Sequence, residues 1–134
     1  ICDEVIANPD AITGSIGAVV ALTDVSKAMD NAGVKRVFIT SGSSKVPFAE
    51  DGSFKQEFLT KIQKDVDMLN DKFAEHVSKY TGLAVEDIKA LNAETFNADE
   101  ALEIGLINSI MTNSEFAAYI SAKHKAKTKG AINA

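Results

Sequence analysis

The chain has 134 residues, 46% of them hydrophobic and 25% charged, which is the make-up of a folded domain with a real core and excludes disordered, collagenous and coiled-coil sequences. Nineteen acidic against fourteen basic residues leave a net charge of -5, which argues against nucleic acid as a partner, because that needs a broad basic face. The longest apolar runs fall short of the ~20 residues that span a bilayer. The single cysteine, Cys2, with His76 and His124 far apart in sequence, allows neither an internal disulfide nor a recognisable zinc spacing. No metal or cofactor is expected, and the cytoplasm is the expected compartment. Because the first residue is Ile1 and not Met, an upstream segment is expected, and a membrane anchor in it stays open.

The opening residues 3–7 are β-prone, and Asn8, Pro9 and Asp10 supply a turn in which proline presets one φ angle. Thr13, Gly14, Ser15, Ile16 and Gly17 form a second, small-residue turn, feeding the apolar run at residues 18–22, which reads as a strand buried on both faces. Thr23 or Asp24 can cap a helix carrying Val25, Ala28 and Met29 and stopping at Gly33. Residues 35–40 then read as another strand, so strand, helix and strand follow in the order of a crossover unit in a largely parallel sheet.

A polar loop at residues 41–47 leads into the longest periodic segment. Phe58, Ile62, Val66, Leu69, Phe73, Val77 and Tyr80 recur at three- and four-residue steps, which predicts an amphipathic helix over residues 53–80, buried along that stripe. Thr81 and Gly82 end it. A short helix over 85–91, an extended piece at 94–96, a helix over 98–104 stopped by Gly105 and a strand at 106–110 follow. Asn113 or Ser114 is expected to cap a terminal helix carrying Phe116, Ala117 and Ile120. Beyond it Lys123, Lys125, Lys127 and Lys129 lack apolar spacing and read as a frayed end or linker. The expected division is therefore 1–112 and 113–134.

Two small-residue motifs invite chemical readings that their spacing removes. The segment from Thr13 to Gly17 is no hydrolase nucleophile elbow, because Thr13 stands where the first glycine is required. It is no dinucleotide fingerprint either, since position 16 is isoleucine. Ser41, Gly42, Ser43, Ser44 and Lys45 miss the Ser-x-x-Lys pattern because Gly42 has no hydroxyl. By themselves these motifs give a turn and a loop. His76 beside Phe73 and Val77 reads as a boundary histidine. Asp65, Asp67 and Asp71 lie on the polar helix face without forming a metal cage, and Asp99 and Glu100 as first-turn acids favoured by the helix dipole.

Three phrases in order carry more than any one of them. Residues 3–9 (DEVIANP) with Thr13, Gly14, Ser15, Ile16 and Gly17 come first, then residues 38–45 (FITSGSSK), then residues 93–108 (AETFNADEALEIGLIN). Together they resemble the family of signal peptide peptidase A and the phage prohead, or capsid assembly, proteases. The resemblance implies a Ser-Lys serine peptidase on a Clp/crotonase-like α/β fold of repeated ββα units with a mostly parallel sheet, of which this chain is the C-terminal part. It implies Lys45 as general base and Ser15 as the serine whose hydroxyl orients the lysine, a role that requires desolvation of the amine. The nucleophile of the family would lie about eight residues before Ile1, so the chain alone is expected to be inert.

The implied partners are a polypeptide substrate, the N-terminal half of the same domain, further copies of the chain in a ring, and a phage scaffold or capsid protein. The implied compartment is then the host cytoplasm or the assembling prohead. The phrases at residues 45–48 and 93–96 favour the phage branch over the bacterial signal peptide peptidase. Two alternatives stand beside this reading: an assembly or binding module without turnover, and a crotonase-type acyl-CoA enzyme, for which no residue speaks. Residues 46–48, apolar in a polar loop, are expected at a groove or subunit boundary, with folding back onto the core as the competing outcome.

Overall fold

The computed structural model describes the backbone of residues 3–132 and the side chains of residues 3–125. The expectation concerning Cys2 and the side chains of Lys127 and Lys129 lies outside them. The fold is mixed α/β. In chain order it contains β1 (Ile6–Ala7), β2 (Ile12–Gly14), α1 (Ser26–Asn31), a 3-10 turn (Ser43–Lys45), α2 (Gln56–Thr81), α3 (Val85–Ala90), β3 (Thr95–Asn97), α4 (Ala98–Glu103), β4 (Ser109–Ile110) and α5 (Asn113–Ile132). Two compact units result: Ile1–Gly17 with Phe73–Ala134, and Ala18–Lys72.

The first unit holds the core. β1 pairs in parallel with β4, Ile6 opposite Ser109 and Ala7 opposite Ile110. Asn108 lengthens this pairing at both ends of its own residue, its side-chain oxygen accepting from Val5 N–H at 2.8 Å and its N–H donating to Val5 O at 2.8 Å. β2 pairs antiparallel with β3. Ala7, Ala98, Ala101, Leu106 and Ile107 form the buried cluster, with Ile16, Val77 and Phe96 among the side chains against it. Three alanines let α4 approach the strands closely, and the apolar area removed from water is what stabilises the unit.

Local chemistry explains the helix ends. Asn97 caps α4 by accepting from Glu100 N–H at 2.9 Å, and the Glu100 carboxylate accepts from Asn97 N–H at 2.9 Å, so two otherwise orphaned donors are satisfied reciprocally. The expected cap of α5 at Asn113 or Ser114 falls one residue earlier: the Glu115 carboxylate accepts from the Thr112 N–H at 2.8 Å and from its hydroxyl at 2.7 Å. α5 runs through the lysine-rich stretch to Ile132. It is tied to the chain entry, where the Glu4 carboxylate accepts from the Tyr119 hydroxyl and, at 2.8 Å, from the Lys123 ammonium.

The sheet differs from the expected mostly parallel one. Among the described residues there are two two-stranded sheets, one parallel and one antiparallel, and neither residues 18–22 nor residues 35–40 pair as strands. Both segments belong to the second unit, and an apolar run becomes a strand only when another backbone lies beside it. In that unit the N-cap of α1 is Val25, one residue after the expected Thr23 or Asp24 and without a side-chain cap bond, while Asp24 accepts from Ser26 N–H at 2.8 Å and Gly33 ends the turn with φ +68°.

The long helix begins three residues later than its apolar pattern predicts, at Gln56. Ser53 is drawn into a turn instead, its N–H and hydroxyl both donating to Asp51. The expected burial of the stripe is not met. Phe58, Ile62 and Val66 are half-buried, whereas Leu69 is 53% exposed and Phe73 41%. Amphipathic spacing specifies a face, but a second surface must supply the cover.

Candidate active site

The turn from Thr13 to Gly17 is built by the β2–β3 ladder. Thr13 lies opposite Phe96 and Gly14 opposite Thr95, so the first and third of the resembling phrases are neighbours in space. Gly14 has φ +125°, and a Cβ there would stand 2.4 Å from the Glu94 carbonyl oxygen. Only glycine fits, for reasons both of backbone conformation and of space. Immediately after it the chain turns left-handed at Ser15, with φ +54°, and the Ser15 N–H donates to Glu94 O at 2.8 Å.

On the facing segment Asn92 and Ala93 also have positive φ, 51° and 56°. Among the described residues these are the three non-glycine positions in that region, and all lie at this junction. Such conformations cost free energy and persist where the surroundings over-determine them, which is characteristic of sites. The result is an exposed Ser15 on a pinned backbone. Beside it a cavity of about 240 Å³ is lined by Thr13, Gly14, Ile16, His76, Val77 and Tyr80. The exposed His76 ring packs against Tyr80 at 4.9 Å between centroids.

Lys45 belongs to the second unit and ends the 3-10 turn Ser43–Lys45. Its N–H donates to Gly42 O at 3.1 Å. Thr40 braces the same corner, its hydroxyl donating to Gly42 O at 2.9 Å. The side chain of Lys45 is exposed. Ser15 and Lys45 thus stand in different units, each on a turn whose backbone is held by hydrogen bonds.

Residues 46–48 are half-buried, and Phe48 folds back within its own unit. Its ring stacks on Phe38 at 5.7 Å and on Phe54 at 5.0 Å, and Phe54 stacks on Phe58 at 5.8 Å. Arg36 lies over the Phe48 ring at 5.8 Å. A tight turn closes the strip, with Ala49 N–H to Ser53 O at 2.8 Å and Gly52 at φ +85°. The Ser53 hydroxyl and N–H hold the Asp51 carboxyl below its ordinary range.

Among the described residues no three His, Cys, Asp or Glu side chains gather to hold a metal ion, and no helix is long and apolar enough to cross a membrane. Residues 1–128 match the model of peptidase family S49. The chain belongs to that family. It is 30% identical over 105 residues to the capsid assembly protease C of Escherichia phage lambda, covering 78% of this chain and 24% of that protein. It is 30% identical over 119 residues to the Synechocystis protein slr0021, covering 85% and 42%. To the head-tail preconnector protein GP5 of Enterobacteria phage P21 it is 25% identical over 129 residues, covering 96% and 26%. The chain therefore spans less than half the length of these relatives.

Sequence reasoning singled out Ser15 and Lys45 but missed Glu94, whose carbonyl pins the Ser15 turn. No local pattern announces such a role, because the bond joins residues 79 positions apart; only Gly14 carried a signal, as a glycine within the small-residue turn.

Proposed function

We propose that this chain is the base-bearing part of a serine peptidase that cleaves polypeptides, with Lys45 as general base, Ser15 as the orienting hydroxyl, and a nucleophilic serine supplied from a segment before Ile1. The observation that carries the reading is the strained and pinned Ser15 turn, fastened to the residue 92–97 segment in a chain of peptidase family S49. A neutral Lys45 amine takes the proton of the serine hydroxyl as its oxygen attacks the scissile carbonyl, and returns that proton to the leaving amine. The Ser15 oxygen accepts a hydrogen bond from the lysine and keeps its lone pair aimed.

A lysine is a base at neutral pH only when water is excluded from it. Because Lys45 is exposed in this chain, the cover must come from the upstream segment, from bound substrate, or from another copy. In this reading the chain is part of a Clp/crotonase-like domain that is completed upstream and assembled as a homo-oligomer. The relatives named for capsid assembly and head-tail connection favour scaffold or capsid polypeptides as substrates, acted on in the host cytoplasm or the assembling prohead.

The test is Lys45→Ala in the intact protease. Peptide cleavage should fall to background with the unfolding midpoint unchanged, because an exposed turn lysine adds little packing. Cleavage at the normal rate overturns the dyad, whereas an intact wild-type protein that cleaves no peptide favours an assembly module that keeps the peptidase fold without turnover.

A further inference from the structure

Lys55 stands immediately before α2, and its carbonyl oxygen accepts from the N–H groups of Phe58 and Leu59, both at 3.1 Å. It therefore occupies the N-cap of a 26-residue helix. Helix chemistry disfavours it there. A lysine offers no acceptor to the free N–H groups of the first turn, where Ser, Thr, Asp and Asn do, and its positive charge faces the positive end of the helix dipole.

The side chain is spent elsewhere. Its ammonium donates to Ser43 O at 3.1 Å, while its backbone N–H donates to Pro47 O at 2.8 Å. These two bonds grip the chain two residues before Lys45 and two residues after it. Between the grips lies the 3-10 turn Ser43–Lys45, with Lys45 N–H donating to Gly42 O. The ring stack of Phe48 on Phe54 and their antiparallel bridge keep the two arms together further along. The turn is thereby referred to the rigid start of α2.

We infer that Lys55 is a positioning residue for Lys45, its ammonium holding the Ser43 carbonyl so that the turn presents the catalytic amine in one orientation. This rests on the Ser-Lys reading above. Positioning of a reacting group acts on turnover, since small displacements from the productive geometry are costly, and the backbone bond to Pro47 survives any substitution at Lys55 except proline.

The decisive variant is Lys55→Ser in the intact protease, because it improves the helix cap while deleting the ammonium. Its unfolding midpoint should stay level or rise, kcat should fall roughly tenfold or more, and KM should change little. Loss of turnover in a protein that is no less stable excludes partial unfolding as its cause. Lys55→Arg restores a long donor and should recover most of kcat. If Lys55→Ser lowers the midpoint, Lys55→Met, which keeps the apolar stem without the donor, takes its place and should show the same fall in kcat.

Wild-type kcat in Lys55→Ser or Lys55→Met, or an arginine variant as slow as they are, overturns the inference. Lys45→Ala measured alongside separates the two claims. If it is inactive while Lys55→Ser is normal, only the positioning role fails; if it still cleaves, the dyad fails and the role of Lys55 fails with it.

Discussion

At the scale of single residues, the Ser15 turn depends on what Gly14 lacks. Any side chain there meets the Glu94 carbonyl oxygen at 2.4 Å and must also adopt φ +125°, so the strand pair has to open or the turn has to move. Gly14→Ala should therefore destabilise the chain by more than about 1 kcal/mol, read as a lower midpoint in urea; an unchanged midpoint would mean that the β2–β3 pairing is not held as described. The opposite sign is expected at Ser109. Its hydroxyl oxygen is buried and, among the described residues, has no hydrogen-bond partner, a desolvation cost with no compensation. Ser109→Ala should leave the midpoint unchanged or raise stability by about 1 kcal/mol, and a clear loss would reveal a partner for that oxygen.

At the scale of elements, a carboxylate at the chain entry holds the middle of α5, beside the Asn8–Asn113 side-chain bond at its start. Glu4 accepts from Tyr119 and Lys123, residues one helical turn apart on the same face, and the Lys123 bond, then the Tyr119 bond, keep its carboxyl below the usual range. A group whose folded-state pKa is depressed contributes stability above its unfolded value and loses it as pH falls through the folded one. The docking of α5 should thus be intact at neutral pH and weaken on acidification below the ordinary glutamate range. Tyr119 ring resonances followed against pH report it, and Glu4→Gln should remove most of that dependence. A Tyr119 signal that does not respond to acid would show that the contact does not hold the helix.

The elements also divide into those that the sequence announces and those that it cannot. α2 and α4 were legible because periodicity and the Gly105 stop are local signals, whereas the Asn97–Glu100 capping box was seen only in the structure. The Ser15 turn was legible as a turn, though its anchor at Glu94 was not. Residues 18–22 and 35–40 carry strand composition without strand pairing, since pairing depends on a distant backbone that no window of sequence contains. The same holds for Leu69, whose place in the stripe was evident and whose exposure was not. Lys55 escaped notice because a lysine beside a helix start is unremarkable until its ammonium is seen on the Ser43 carbonyl.

At the scale of the whole molecule, the unpaired segments are the largest discrepancy between composition and cover. Val19 is 88% exposed and Ile39 98%, on two β-prone runs that flank α1 within one unit. Apolar runs with free backbone donors and acceptors are templates for further pairing, and the chain spans only 24% to 42% of the relatives' length. On the function proposed above, the sheet that these runs would join is completed from outside residues 1–134. In the intact protein the amides of residues 18–22 and 35–40 should exchange with solvent far more slowly than in this chain alone, while those of β1, β2, β3 and β4 change little, because these strands already have partners. Concentration decides between the two sources of cover: protection that persists on dilution comes from the same polypeptide, whereas protection lost on dilution comes from a second copy. Equally fast exchange in both proteins, at every concentration, would remove these runs from the sheet and with them the Clp/crotonase-like arrangement, leaving the 3-10 turn of Lys45 beside two unpaired segments.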